Sequence, residues 1–311
     1  MKFKKAILIK ITHTHFDQKY LAELDGLVEQ KVLLHRDDPK LMDELKDCDC
    51  LLLGFQVPIG RDIFDVAPQL KFINILATAY GTVDLGAAKE KGVVVCNLGG
   101  YSTESVAEFV LAAILHQVRN IDEGLKRARS GNYSFEGIRA RELKNSNFGV
   151  IGLGHIGNRV AELASGFGAH VSYWSRTKKD NAFQYLELNE LLSTCQYISV
   201  NVAETPETTK LLHKDNLPLI KPGSILMSTV PPPVIDTDAL AEWLVKKDVT
   251  FIFDHPGEMQ KSDLDTLKAF DNCVIYPPIA FVSDEARIAK QEIFVANMRG
   301  FLAGKIQNKV N

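Results

Sequence analysis

The chain has no apolar run approaching the ~20 residues that a bilayer-crossing helix needs, and no membrane segment is expected. It has no lysine- and arginine-rich stripe, and a net charge of −3 with a pI near 6.3 argues against a nucleic-acid partner. The densest basic cluster, Lys126-Arg127-Ala128-Arg129, suits the solvated end of a helix, where positive charge meets the macrodipole. Cysteines are few and form no C-x-x-C pair. Cys48, Cys50, Cys96, Cys195 and Cys273 mostly stand in or beside apolar runs, where thiols behave as small buried hydrophobes. Cys48-Asp49-Cys50 is poorly spaced for a metal, no metal site is expected, and a reduced, cytoplasmic setting follows by default. The start, Met1-Lys2-Phe3-Lys4-Lys5, is basic, but the following apolar run is interrupted by Lys10. It reads as a strand and not as a signal peptide. No repeat at solenoid spacing is visible.

What is present is an ordinary globular composition, 46% hydrophobic and 24% charged. At 311 residues the chain can hold two cores, since single cores stop growing near ~250–300 residues. Short apolar runs alternate with amphipathic stretches. Ala6–Ile11, Lys31–Leu34, Cys50–Leu53, Phe72–Leu76 and Val93–Val95 read as strands, with helices such as Asp17–Glu29 and Lys40–Lys46 between them. This βαβ rhythm implies a parallel sheet covered on both faces. Tyr101 to Arg129 is the longest helical pattern, capped around Ser102–Ser105 and ended by Ser130-Gly131-Asn132.

A second series begins at Asn147. It predicts a strand, a glycine turn, helix Asn158–Phe167, strand His170–Trp174, helix Glu187–Ser193, and strands Gln196–Val200 and Ser224–Met227. Helix Asp236–Lys247, strands Val249–Phe253 and Cys273–Tyr276, and helix Asp284–Leu302 complete it. The last helix is expected to return to the first domain, so that the second is an insertion. The fold class is therefore α/β with two doubly wound parallel-sheet domains, a Rossmann nucleotide-binding domain inserted into a flavodoxin-like one. The expected boundaries are 1–98 with 284–311 for the outer domain and 99–283 for the inserted one.

The turn Gly152-Leu153-Gly154-His155-Ile156-Gly157 carries the most specific signal. A lone G-x-G-x-x-G is weak evidence, but here a strand precedes it and a helix and a second strand follow. Gly152 permits the tight turn, Gly154 lets backbone approach a diphosphate, and Gly157 allows close helix–strand contact. The free N–H groups at the helix start, including those of His155 and Ile156, favour the anion. A carboxylate normally stands at the end of the second strand to bind the ribose 2′-hydroxyl. That position, 18 residues after Gly157, is Ser175, followed by Arg176, Thr177, Lys178 and Lys179. With no carboxylate to repel a 2′-phosphate and a guanidinium to pair with it, NADP(H) is favoured over NAD(H).

Ala67-Pro68-Gln69-Leu70-Lys71, Ala79-Tyr80-Gly81-Thr82-Val83-Asp84 and Gly92–Asn97 together resemble the D-isomer-specific 2-hydroxyacid dehydrogenase family. Ser105-Val106-Ala107-Glu108, the glycine turn, Pro206-Glu207-Thr208-Thr209 and Val234–Leu240 continue the likeness. It spans nearly the whole chain in the family's order. The resemblance implies a discontinuous substrate domain, a long dimerisation helix, a homodimer and an interdomain cleft. It also puts Val202, Thr229, Val230 and Asp254 beside the cofactor, with Asp254 holding the nicotinamide amide.

The resemblance further implies an arginine, a glutamate and a histidine. At the corresponding positions stand Pro231, Met259 (with Glu258 one residue away) and Pro278. Proline donates neither through its side chain nor through its backbone, and a triple-proline loop is stiff. Losing a general acid costs roughly 10²–10⁴-fold, so the family's ordinary reaction is not expected. Ala79 and Gly81 also stand where the family shows glycine and aspartate, which argues against a simple 2-keto acid ligand. Candidate replacements are His255 and Glu258, past the end of a strand, as a relocated proton-transfer pair. His13, Tyr80 and Gly81 are candidate substrate contacts. For Tyr80 and Tyr276 cleft lining and aromatic packing are equal readings, and His116 on the long helix reads as a packed or interfacial residue.

Three readings follow for this chain. One is an NADP(H)-dependent oxidoreductase with non-standard catalytic residues acting on a small carbonyl, imine or hydroxy compound. Another is a non-catalytic dinucleotide-binding protein or redox sensor, and the last is non-redox chemistry in the same cleft.

Overall fold

The structure is a computed structural model describing every residue except Lys247. The chain groups into two compact units, Met1–Ser102 with Ser283–Asn311, and Thr103–Val282.

The first unit runs β1 (Phe3–Ile9), α1 (Gln18–Leu27), β2 (Val28–Leu34), α2 (Leu41–Glu44), β3 (Cys50–Leu53), α3 (Arg61–Val66), β4 (Phe72–Ile75), α4 (Leu85–Glu90) and β5 (Val94–Cys96). Its sheet is parallel, with order β2-β1-β3-β4-β5, the flavodoxin-like arrangement. β3 and β4 are buried along their whole length, as continuous apolar runs must be when helices cover both faces. The helix that follows the second unit returns here and buries Phe294, Val295 and Met298 against Phe3, Leu52 and Phe72.

The second unit runs α5 (Thr103–Val118), α6 (Ile121–Arg129), β6 (Asn147–Ile151), α7 (His155–Gly166), β7 (His170–Trp174), β8 (Gln184–Tyr185), α8 (Leu188–Thr194) and β9 (Tyr197–Val200). It continues with β10 (Ile225–Ser228), α9 (Thr237–Leu244), β11 (Thr250–Phe253), α10 (Lys261–Lys268) and β12 (Cys273–Ile275); the returning helix is α11 (Asp284–Leu302). The seven strands are parallel in the order β12-β11-β10-β9-β6-β7-β8, a Rossmann arrangement whose winding reverses at β6. Two apolar clusters pack the two faces of this sheet.

Several boundaries depart from the sequence expectation. The stretch Asp17–Glu29 is not all helix, because Val28 pairs with Phe3 and the parallel ladder captures the β-branched residue directly after α1. The expected single helix over Tyr101–Arg129 breaks at Asn120, which is left-handed (φ 52°, ψ 44°) and donates its side-chain amide to the Arg139 carbonyl. Asparagine tolerates that conformation where most residues do not. α7 begins three residues earlier than expected, with Gly154 at its N-cap. α9 ends at Leu244; the far end of its expected span, Lys247, lies outside the described residues.

Candidate dinucleotide and proton-transfer site

Each candidate residue of the second unit lies just past the C-terminal end of a strand. The glycine turn follows β6, Ser175–Lys178 follow β7, Val202 follows β9, Thr229–Pro231 follow β10, Asp254–Glu258 follow β11 and Pro278 follows β12. Because the strands are parallel, these residues share one sheet edge, and the glycine turn and Val202 flank the point where the winding reverses. That is where sheets of this kind bind ligands.

The three glycines differ in what surrounds them. Gly152 is left-handed (φ 96°), and a Cβ on it would stand 2.8 Å from the Val202 nitrogen. A Cβ on Gly157 would stand 1.9 Å from the Gly152 oxygen. Around Gly154 nothing lies within 4 Å. The first and third glycines thus let the chain pack on itself, while the second leaves open space at the start of a twelve-residue helix. His155 is exposed there, and Ile156 is partly buried against the apolar cluster that contains Val160 and Ala161. An anionic diphosphate fits that space and those N–H groups.

The basic loop after β7 is held in shape from below. Ser175 is buried, and its hydroxyl donates to the Thr177 carbonyl at 2.7 Å. The buried Tyr173 hydroxyl accepts from the Lys179 N–H at 2.8 Å and donates to the Lys179 carbonyl at 2.9 Å. Arg176, Thr177 and Lys178 are exposed on this frame.

After β11 the chain places an acid and a base together. Asp254 is fully buried; one oxygen lies 2.6 Å from His255 Nδ1, and the other accepts the Ala280 N–H at 3.1 Å. Glu258 Oε1 lies 3.9 Å from His255 Nε2. Burial alone would lower the His255 pKa, but the Asp254 hydrogen bond and the charges of Asp254 and Glu258 outweigh it and raise it above the ordinary value.

Of the positions expected to hold arginine, glutamate and histidine, Pro231 precedes the tight turn Pro232–Val234. Met259 packs on the apolar cluster that contains Val230 and Phe253. Together with Val230 and Pro232 it lines a void of about 20 Å³, room for about one water. Pro278 is exposed in the segment tied to Asp254 through Ala280. Val202 and Thr229 are partly buried. Tyr276 is a packing residue, edge-on to Phe109 with its hydroxyl 3.4 Å from His116 Nδ1.

In the first unit, His13 is exposed just past β1, and Tyr80 and Gly81 form an exposed turn past β4, closed by the Val83 N–H to Tyr80 carbonyl bond. Among the described residues no three His, Cys, Asp or Glu side chains gather as metal ligands. The sequence reading missed Tyr173 as the clamp of the basic loop. It also missed the 3.5 Å ion pair between Arg176 and Glu207, residues far apart in sequence with no local signal linking them.

A family model described as D-isomer specific 2-hydroxyacid dehydrogenase, NAD binding domain, matches residues 111–280. The chain is 31% identical over 297 residues to a hydroxypyruvate reductase of Blautia hydrogenotrophica, covering 88% of each chain. It is 29% identical over 284 residues to a glyoxylate reductase of Pyrococcus furiosus, covering 86% of this chain and 83% of that one. Its fold matches the structure of a D-lactate dehydrogenase from Aquifex aeolicus complexed with NAD and lactic acid, with a TM-score of 0.85, 27% identity and 96% of each chain covered. The parallel sheets, the glycine turn at the winding reversal and these likenesses agree: the chain belongs to the D-isomer-specific 2-hydroxyacid dehydrogenase family.

Proposed function

We propose that this chain is an NADP(H)-preferring oxidoreductase of small carbonyl, imine or hydroxy compounds in which His255 is the proton-transfer group. The observation that carries this reading is the 2.6 Å pairing of His255 with buried Asp254. A bound nicotinamide dinucleotide supplies or accepts the hydride. His255 holds the proton. Asp254 accepts from Nδ1–H and fixes the ring, which leaves Nε2, beside Glu258, to deliver or take a proton at the substrate heteroatom. The raised pKa keeps more of His255 protonated near neutrality, as a donor requires.

Gly152, Gly154, His155, Ile156 and Gly157 form the diphosphate cradle of this reading, and Ser175, Arg176, Thr177 and Lys178 receive a 2′-phosphate. Val202, Thr229 and Val230 line the nicotinamide end, while Asp254, expected from the resemblance to hold the nicotinamide amide, is fully buried on His255 and Ala280 and in this reading acts through His255. Residues 99–283 act as the dinucleotide-binding domain, and 1–98 with 284–311 as the substrate-binding domain, with His13, Tyr80 and Gly81 as substrate contacts. The relatives named glyoxylate reductase and hydroxypyruvate reductase support a small carbonyl substrate.

A homodimer accompanies this reading. α6 buries none of its residues, and Ile121, Leu125, Tyr133 and Phe135 are exposed large apolar side chains in one short stretch. Five unpaired cysteines, four of them buried, support a reducing cytoplasmic setting.

The second reading, a non-catalytic dinucleotide-binding protein, is favoured by Met259, whose side chain lies on apolar core where a proton-relay glutamate is expected. The test measures NADPH oxidation across a panel of carbonyl and imine compounds, with cofactor fluorescence as an independent measure of binding. Turnover that His255→Gln lowers by roughly 10²–10⁴-fold with binding intact supports the first reading. Binding with no turnover on any member supports the second.

A further inference from the structure

No carboxylate stands at the end of β7, but one from the turn after β9 meets the basic loop there. Glu207 sits in the turn after β9, and its Oε2 lies 3.5 Å from Arg176 Nη1. Both side chains are more than half exposed, 60% for Arg176 and 64% for Glu207, so the pair stands in solvent and can separate without disturbing the core.

Both partners are presented by prearranged backbone. On the Arg176 side, Ser175 and Tyr173 shape the loop through bonds to Thr177 and Lys179. On the Glu207 side, the buried Thr208 hydroxyl accepts from the Thr205 N–H at 2.8 Å and donates to the Ala203 carbonyl at 2.7 Å. The Thr209 hydroxyl donates to the Thr205 carbonyl at 3.0 Å, closing the turn further. A hydrogen bond with Thr205 and one to backbone, with Arg176 adding its charge, hold the Glu207 carboxyl below its ordinary pKa. Glu207 is therefore an anion at neutral pH, and the basic loop is not a plain phosphate receptor.

We infer that Glu207 is a specificity-determining residue that acts as the countercharge to Arg176 and holds down the preference for NADPH over NADH. The inference rests on the dinucleotide reading of the site given above. A 2′-phosphate that takes the guanidinium leaves Glu207 unpaired beside a second anion, a repulsion that a 2′-hydroxyl does not incur. A carboxylate and a guanidinium at one end of the site oppose each other in choosing between the cofactors, so the preference for NADP(H) is smaller than the positive charge of the loop alone would give.

The test is the dissociation constant of each reduced cofactor, read by quenching of nicotinamide fluorescence and confirmed by calorimetry. It is applied to the wild-type chain, Glu207→Gln and Arg176→Ala. Glu207→Gln keeps shape and removes charge. It is expected to move the NADPH-to-NADH affinity ratio about fivefold towards NADPH at low salt, and less in 0.5 M salt, where screening shortens the reach of charge. Arg176→Ala is expected to move the same ratio at least as far towards NADH. An unchanged ratio in Glu207→Gln, or a shift towards NADH, overturns the inference. A wild type that binds neither cofactor overturns instead the dinucleotide reading on which it rests.

Discussion

The carbonyl oxygen of Gly152 occupies the place that a side chain on Gly157 would need, 1.9 Å from an ideal Cβ. The turn and the first coil of α7 are in backbone contact, and only glycine at 157 permits it. Gly154, three residues earlier, faces open space within 4 Å. The two glycines therefore serve different ends. Gly157→Ala is expected to destabilise the second unit by roughly 3 kcal/mol through overpacking against backbone, measured by urea denaturation. Gly154→Ala is expected to leave the unfolding midpoint unchanged and to weaken dinucleotide binding by at least tenfold, because the methyl group fills the space the diphosphate needs. An unaltered affinity would remove Gly154 from the cradle.

The raised pKa of His255 fixes the sign of a pH dependence. Its pKa in the folded chain lies above the unfolded value of about 6.5, so its pairing contributes stability in full below that pH. The contribution is lost as pH rises through the folded pKa. Carbonyl reduction that draws its proton from His255 declines over the same window. Asp254→Asn removes the chief support of the charged ring and is expected to move the His255 titration to lower pH, followed by NMR in the free protein. A titration that stays in place would show that Asp254 does not govern the ring.

A chain of asparagines, buried at Asn74, Asn97 and Asn297 and partly buried at Asn308, ties the first unit together. Asn297 donates to the Asn74 side chain at 3.1 Å and to the Asn97 carbonyl at 2.8 Å, and it accepts from Asn308 at 2.8 Å. Asn97 in turn donates to the Thr78 carbonyl at 2.7 Å, at the base of the turn carrying Tyr80 and Gly81. Asn297→Leu strands three partners without replacing a bond. A loss of about 3 kcal/mol is expected in the denaturation of this unit, since each unsatisfied buried group costs roughly 1–3 kcal/mol. A loss below 1 kcal/mol would mean that water takes over the network.

Phe135 is 85% exposed and Tyr133 84%, beside the exposed Ile121 and Leu125 of α6. Covering these side chains with a second copy removes apolar surface from water. Phe135→Asp is expected to convert a dimer into a monomer in light scattering coupled to size-exclusion chromatography, without a shift in helix content. A wild type that elutes as a monomer at tens of micromolar contradicts the homodimer.

Much of the fold was legible in the linear order of residues. Apolar runs such as Cys50–Leu53 and His170–Trp174 match their strands, and α11 matches Asp284–Leu302, because these elements carry their own periodicity and caps. The glycine turn was legible because close backbone approach demands glycine at set spacings. The boundary at Val28 was not, since the residue that captures it, Phe3, lies on another strand. Nor was the break at Asn120, where an asparagine adopts a left-handed backbone that its neighbours do not reveal.

The amino-acid order by itself determined the two-sheet α/β character, the dinucleotide turn, and the presence of proline and methionine where the family resemblance implies arginine, histidine and glutamate. Only the tertiary structure decided which charges meet. It set Glu207 against Arg176, laid the partly buried Met259 against apolar core and bound buried Asp254 to the Ala280 segment. The reason is physical: periodicity and steric demand act within a few neighbouring residues and leave a local trace. Partners such as Glu207 for Arg176 and Ala280 for Asp254 are chosen by strand order and loop shape, which bring together residues that share no sequence neighbourhood, whereas His255 follows Asp254 directly and that pairing was within reach of the sequence.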